Sequence, residues 1–461
     1  MAGFFFNHVP QTVPKVETKY RRIVTQIPTP ESVLQLEKVY QLESRSMHGQ
    51  MPVVWDRASD FQVFDDQGNC WIDFTSTIFV ANVGHGNPRI VEAVKKELEK
   101  PMLHSYTYLT KARLDYLSLL IRKTPVQFEK AFLLSAGTEA TECALKLMRE
   151  SGIKKGKRKQ AIICVEGNWH GRTMGAQMMA SNKAQKEWIG YHDPNIFHIP
   201  FPYPWIPAAN EDPAGFFSEA MDKLCDEEDL DPDKDIAGFM LETFQGWGAV
   251  FYPVNFVKSL NEFAKSRDIL VAFDEMQSGF GRTGELFGYM HYGVEPDLLC
   301  CGKGASSGFP LAIVLGSSEV LDLPDIGSMS STHSANPIVC AAGKATLECL
   351  FEDGLILQSR ELGLKFHERL ELIRMEFKTH IKAVQGKGLL AALIFENDRG
   401  EPLSRVCDNI AELCMQRGLL VVHTGRESIK LAPPLSITEE ALLDGLGVLS
   451  QCIADCIKSR K

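Results

Sequence analysis

The chain has 461 residues, 44% of them hydrophobic and 23% charged. At roughly 150 residues per domain, that length predicts about three units, or one large α/β domain with smaller parts, and the composition excludes a disordered chain. A net charge of −10 argues against a general electrostatic role on nucleic acid or on an anionic membrane.

Residues 1 to about 50 read as an arm. Pro10, Pro14, Pro28 and Pro30 forbid one continuous helix, and a short helical pattern follows over residues 33–42. Such an arm rests on a partner subunit or stays a partly ordered tail. The opening MAGFFFNHVP has no basic stretch ahead of its apolar patch, so it is not read as a signal peptide. No run of about 18 apolar residues predicts a membrane span. Residues 61–74 predict a hairpin, because FQVFD and CWIDF alternate around a turn of Asp66, Gln67, Gly68 and Asn69.

From about Pro88 the pattern changes. Helical stretches at 90–99 and 112–123 alternate with short apolar runs. The runs are AFLLS from Ala131, AIICVE from Ala161, AGFMLE from Ala237, ILVAFDE from Ile269 and LLCCGK from Leu298. Strands alternating with helices predict an α/β fold whose mostly parallel sheet is covered on both faces. After about Thr346 come helix, the strand AALIF, helix again, and a last helix from Glu439. The predicted plan is an arm (1–50), the N-terminal part of a small α+β domain (51–87), a large domain (88–345) and the C-terminal part of the small domain (346–461).

Twelve cysteines are present, with no Cys-x-x-Cys pair. Cys164, Cys300 and Cys301 fall in predicted strands; Cys143, Cys340 and Cys349 fall in helix-like stretches. Cys452 and Cys456 share a helical face but have no Cys or His partner near in sequence. This predicts reduced thiols in a cytoplasmic protein, without a disulfide framework or a metal site.

Ligands of open α/β sheets bind at the carboxyl ends of the strands. After AFLLS, a small-residue turn (Ser135, Ala136, Gly137, Thr138) opens a helix. It reads either as a phosphate cup, with free N–H groups at a positive dipole end, or as plain capping by Glu139. After AIICVE, Trp169 and His170 stand in a Gly-flanked loop, where the aromatic either stacks on a flat ligand or packs the loop. ILVAFDE ends in Asp274 and Glu275. A carboxylate ending a buried strand needs a cation, a metal or a protonated heterocycle, and no ligand spacing favours metal. LLCCGK ends in Lys303, either a nucleophile with a depressed pKa or a lysine that snorkels outward. A lysine, a carboxylate, a phosphate cup and a stacking ring together match the needs of pyridoxal phosphate.

The motifs SAGTEATECALK, NWHGRT, FDEMQSGFGRTG, EPDLLCCGKG, GFPLAIVLG, STHSANP and KLAPPLSIT occur in that order along the chain, and the likeness they mark runs from about residue 55 to the C-terminus. In this the chain resembles the class III, or omega, aminotransferases, pyridoxal-phosphate enzymes of fold type I. The resemblance implies a large domain built on a mostly parallel seven-stranded sheet, with a smaller α+β domain drawn from both termini. It implies that Lys303 joins the cofactor covalently and later shuttles a proton, and that Asp274 keeps the ring nitrogen protonated. It also implies phosphate binding by Gly137 and Thr138, ring stacking by Trp169, and a bond from Gln277 to the ring hydroxyl, supported by Glu242. Thr332 would reach the cofactor of a neighbouring subunit, which implies a homodimer with shared sites.

Two departures bear on substrate. Where the family usually reads Glu-Pro-x-Gln-Gly-Glu, this chain has Glu242, Thr243, Phe244, Gln245, Gly246 and Trp247. Where many members carry an Arg that grips the substrate α-carboxylate, it has Lys430. Lysine cannot make the planar two-bond grip. Either Arg426 or Lys430 does the same work, or the substrate is a less usual amine (an amino sugar, a polyamine or another ω-amine) with Trp247 as a wall. The expected reaction is ping-pong transfer from an amine donor to a carbonyl acceptor. The alternatives are an epimerase, aminomutase, decarboxylase or phospholyase on the same fold, or a non-catalytic protein that kept it.

Overall fold

The structure is a computed structural model that describes residues 6–49 and 51–458. The first residues of the apolar N-terminal patch, 1–5, lie outside the described residues. The chain divides into two compact units. One comprises residues 88–246 and 250–354; the other comprises residues up to Asn87, Trp247–Ala249 and residues from Leu355 onward.

The first unit is built on seven strands: β1 (Lys130–Leu134), β2 (Ala161–Val165), β3 (Ile196–Ile199), β4 (Ile236–Glu242), β5 (Leu270–Asp274), β6 (Leu298–Cys301) and β7 (Ala312–Gly316). Their order across the sheet is β1-β7-β6-β5-β4-β2-β3. Only β7 runs against its neighbours, so the carboxyl ends of β1, β2, β4, β5 and β6 share one edge. The five predicted apolar runs are all strands here. Two further strands are the short, half-buried edge strand IFHI and AIVLG, which stands in the sequence only as part of a motif.

Helix α1 (Gly137–Lys154) packs Ala140, Ala144, Leu147 and Met148 onto this sheet. Each fully buried Leu or Met side chain stabilises the fold by about 1.5–3 kcal/mol. The approach is close, because a Cβ at Gly238 of β4 would collide with the Met148 side chain. The boundary of this unit lies at Gly354, beyond the predicted 345. The reason is helix α2 (Pro337–Glu352), which packs against Pro88–Leu98 and Lys111–Lys123 of the same unit.

In the other unit, the predicted hairpin pairs Gln62–Phe64 with Cys70–Asp73. Its turn closes as Asp65 Oδ1 accepts the N–H groups of Gln67 (3.0 Å) and Asn69 (2.8 Å), with Gly68 at φ +89°. The predicted arm is not separate from this unit. Arg22–Ile23 pairs with the strand Cys70–Asp73, and Ile23 and Ile27 are buried with Trp71 and Met415. The helical pattern over 33–42 is a helix from Pro30 to Leu42, capped by Thr29. A second sheet contains Ile381–Lys387, Leu390–Phe395, Val422–His423 and Ser428–Leu431. It is flanked by helices α3 (Ser404–Gln416) and α4 (Glu439–Lys458).

All twelve cysteines are unpaired thiols. Among the described residues, no helix is long and apolar enough to cross a membrane, and no cluster of His, Cys, Asp and Glu could hold a metal ion.

Candidate active site

Strand register brings the chemistry together. Asp274, the last residue of β5, sits level with Glu242 on β4 and with Cys300 on β6, three residues before Lys303. A pocket of about 210 Å³ opens at this edge. Gly137, Thr138, Trp169, Glu242, Asp274, Gln277 and Lys303 line it, together with His170, Gly171, Thr243, Phe244, Met276 and Ser278.

Lys303 is the first residue of a tight turn and holds a left-handed backbone, φ +42°. That conformation is costly for a side-chain-bearing residue, and such strain gathers at functional sites. Burial pushes its amine below the ordinary lysine value, and the negative charges of Asp274 and Glu242 only partly oppose this. Lys303 is half-buried and lines the pocket, which agrees with the depressed-amine reading.

Asp274 is buried. Its Oδ1 accepts the Met276 N–H at 3.0 Å, and its Oδ2 lies 2.9 Å from His170 Nδ1. The Asn168 amide nitrogen sits 2.8 Å from His170 Nε2 and donates to the Met179 carbonyl at 3.0 Å. An amide nitrogen held by a carbonyl can only donate, so Nε2 accepts and Nδ1 carries the proton given to Asp274. His170 thus holds the carboxylate through a neutral N–H donor, where the sequence pointed to a cation, a metal or a protonated heterocycle. The sequence placed His170 in the right loop beside Trp169, but nothing in spacing linked that loop to β5.

Glu275 points the other way. It is buried and accepts from Thr243 Oγ1 and Ser278 Oγ, both at 2.6 Å, and from the N–H groups of Gly288 (2.8 Å) and Tyr289 (2.7 Å). Burial raises its carboxyl above the usual range against these four donors. It ties down the loop that follows β5, a role the sequence did not disclose.

Both readings of the turn before α1 apply. Glu139 accepts the N–H groups of Ser135 (2.8 Å) and Ala136 (3.0 Å). Gly137 and Thr138, as the first residues of α1, carry N–H groups with no acceptor inside the helix. Their surroundings leave a cradle. A Cβ at Gly137 would sit 2.9 Å from Met276 Sδ, and one at Gly171 would run into the Thr138 side chain. Trp169 donates its N–H to Glu242 Oε2 at 3.0 Å and carries the Arg172 guanidinium 4.6 Å from its ring centre. Gln277 Nε2 reaches Glu242 Oε1 at 3.5 Å.

This donor set fits pyridoxal phosphate. A small-residue cradle at a helix start suits a phosphate. A buried carboxylate backed by an imidazole suits a protonated ring nitrogen, and a deprotonation-prone lysine suits an aldehyde.

The remaining predicted residues lie elsewhere. Thr332 is exposed in the same unit, where its carbonyl accepts from His104 Nε2 at 2.7 Å. Trp247, Arg426 and Lys430 belong to the other unit. The Arg426 guanidinium covers the Trp247 ring at 3.9 Å and pairs with Glu427 at 2.9 Å. Ser428 Oγ donates to the Trp247 carbonyl at 2.8 Å. Lys430 is buried, with Nζ 4.4 Å from the centre of the Phe79 ring. Phe79 ends a left-handed turn in which Ser76, Thr77, Ile78 and Phe79 all have positive φ, from 45° to 71°. Two β-branched residues there make the turn strained.

Residues 44–453 match the aminotransferase class-III family. The chain is 30% identical over 447 residues to a 4-aminobutyrate aminotransferase of Mycobacterium leprae, covering 94% of this chain and 98% of the relative. It is also 30% identical over 468 residues to an alanine/serine racemase of Pyrococcus horikoshii, covering 99% and 97%. Among solved structures, acetylornithine aminotransferase from Elizabethkingia anophelis superposes with a TM-score of 0.76 at 28% identity, covering 92% of this chain and 99% of that one. With a small-residue cradle, a backed carboxylate and a pocket-lining lysine at one sheet edge, and this similarity over nearly its whole length, the chain belongs to the class-III aminotransferase family of fold type I and is a pyridoxal-phosphate-dependent aminotransferase.

Proposed function

We propose that the protein moves an amino group, by a ping-pong cycle, from a non-standard amine (an amino sugar, a polyamine or another ω-amino compound) to a carbonyl acceptor. The observation that carries the substrate reading is the state of Arg426 and Lys430. Arg426 is committed to Glu427 and to the Trp247 ring, and Lys430 is a buried point charge over Phe79. Neither offers a free planar fork for an α-carboxylate. The names of two related proteins, a 4-aminobutyrate and an acetylornithine aminotransferase, agree with an amine distant from such a carboxylate.

When bound, the cofactor supplies an electron sink that acidifies the carbon bearing the amine. Lys303 Nζ holds the cofactor and, when released, moves the proton at that carbon; burial lowers the proton affinity of the amine, which favours the form this requires. Asp274 holds the proton on the ring nitrogen, and His170 keeps that carboxylate oriented. Gly137 and Thr138 bind the phosphate, Trp169 covers the ring, and Gln277 with Glu242 meets the ring hydroxyl. Trp247 and Lys430 select the amine.

The working form is a homodimer in the cytoplasm, with Thr332 serving the partner's cofactor. Exposed Leu103, Tyr108 and Leu109 support an interface. Mixing single amines with the holoenzyme and following loss of the lysine-bound cofactor absorbance tests the substrate class. An ordinary α-amino acid as best donor, with an affinity that depends on Lys430, defeats it. The similarity to a racemase supports a second reading, epimerisation. Turnover without any added carbonyl acceptor would select it.

A further inference from the structure

Behind His170, a line of hydrogen-bonded groups runs away from the pocket within the same unit. It is anchored at a helix end. Met179 is the last residue of the short helix Met174–Met179, so its carbonyl meets no N–H of that helix. Two side chains use it instead. Asn168, in the loop after β2, donates from Nδ2 at 3.0 Å, and His198, on the edge strand β3, places Nε2 at 2.8 Å. A carbonyl only accepts, so His198 Nε2 carries a proton. Burial pushes the His198 ring down to about 4, which leaves it neutral near pH 7. With both lone pairs engaged, the Met179 carbonyl is fixed in direction, and it fixes the Asn168 carboxamide in turn.

Asn168 is only 5% exposed, and its Oδ1 has no N–H or O–H partner. Leaving a buried acceptor unmatched costs about 1–3 kcal/mol, and such a group calls for a reason. Turning the carboxamide over would set Oδ1 against the Met179 carbonyl, two acceptors face to face, and would invite a proton onto His170 Nε2. The observed orientation gives one Nδ2 hydrogen to Met179 and the other to His170 Nε2 at 2.8 Å.

We propose that Asn168, braced by His198 through the Met179 carbonyl, is a positioning residue for the amino-transfer reaction: it denies His170 a second proton and so leaves the charge of Asp274 uncancelled. This rests on the role proposed above for Asp274, as holder of the proton on the ring nitrogen. A neutral imidazole donating from Nδ1 orients that carboxylate and leaves its negative charge in place. An imidazolium would orient it equally well but would compete with the ring nitrogen for the same charge. The acceptor left unmatched on Asn168 is thus tied to the charge state of a pair on another strand.

The test reads the imidazole directly. Wild-type protein with isotope-labelled histidine rings, cofactor-free and loaded, is measured by NMR near neutral pH, and the His170 signal is assigned by its absence in H170F. The expected ring is neutral, with Nδ1 protonated and Nε2 bare. N168D keeps the shape of the side chain but replaces the donor with an acceptor. It should show both His170 nitrogens protonated and lower kcat roughly ten- to a hundredfold, with little change in KM for the amine. H198F, which removes one brace, should lower kcat less than N168D does. A protonated Nε2 in the wild type overturns the proposal. So does an N168D enzyme that has gained the imidazole proton and still turns over at the wild-type rate. If N168D does not fold, N168A decides: an unchanged tautomer or an unchanged kcat overturns the proposal there. Undiminished turnover of D274A, by contrast, overturns the underlying reading of Asp274 whatever the His170 spectrum shows.

Discussion

The unit bearing the parallel sheet and the unit bearing Lys430 use charge in opposite ways. In the first, Asp274, Glu242 and Lys303 hang from the ends of adjacent strands, and hydrogen bonds from His170, Met276 and Trp169 hold the carboxylates in place. In the second, Arg426 and Lys430 rest on the faces of Trp247 and Phe79, and Phe79 stands on a strained left-handed turn. Directed hydrogen bonds fix a group to within tenths of an ångström, which chemistry on one cofactor demands. A cation on an aromatic face keeps its charge but has little directional constraint, which suits contact with a variable substrate. On the roles proposed for these residues, reaction and specificity would be separated along the chain.

Breaking the first arrangement should cost most. Lys303→Ala is expected to abolish turnover, a loss on the order of 10³-fold or more, and to leave no lysine-bound absorbance; borohydride trapping and peptide mapping check it. Asp274→Ala removes one partner of a buried ionic contact, a loss of about 3–5 kcal/mol, read as a drop in kcat/KM and in cofactor affinity. His170→Phe should cost less, about 1–3 kcal/mol, and should lower kcat more than it changes KM for the amine. Replacing Lys430 by Met, in the second arrangement, should alter preference among amines by roughly ten- to a hundredfold while leaving the lysine-bound cofactor spectrum unchanged. A changed spectrum would undo the separation drawn above.

The smallest effect concerns pH. Burial depresses the Lys303 amine in the folded protein, so the unfolded chain binds the proton more readily. The stability of the cofactor-free protein should therefore rise with pH from the depressed value up to the ordinary 10.5 and then level off. Lys303→Met should flatten that rise, and denaturation at a series of pH values measures it.

Much of the sheet-bearing unit was readable because its elements announce themselves. Buried parallel strands are near-continuous apolar runs, and their functional residues come immediately after them, as Asp274 and Lys303 do. What escaped were relations between distant segments. Asp274 and Glu275 are adjacent acids, and only the alternation of the strand, seen in place, sends one to the pocket and the other to the Gly288 loop. His170 reaches Asp274 across 104 positions, and no local pattern encodes that. The edge strand IFHI carries a polar His198 and is too short to stand out. In the other unit, the left-handed turn at Ser76–Phe79 was invisible because Thr and Ile normally favour extended backbone.

The meeting of Gly238 with Met148 has a consequence for cofactor choice. A helix seated so tightly on a strand cannot slide, so its start at Gly137 keeps a constant span to the turn at Lys303. With the roles proposed for Gly137 and Lys303, the sheet would work as a caliper: a ligand with its anionic arm and its aldehyde set at another separation would not bridge both jaws.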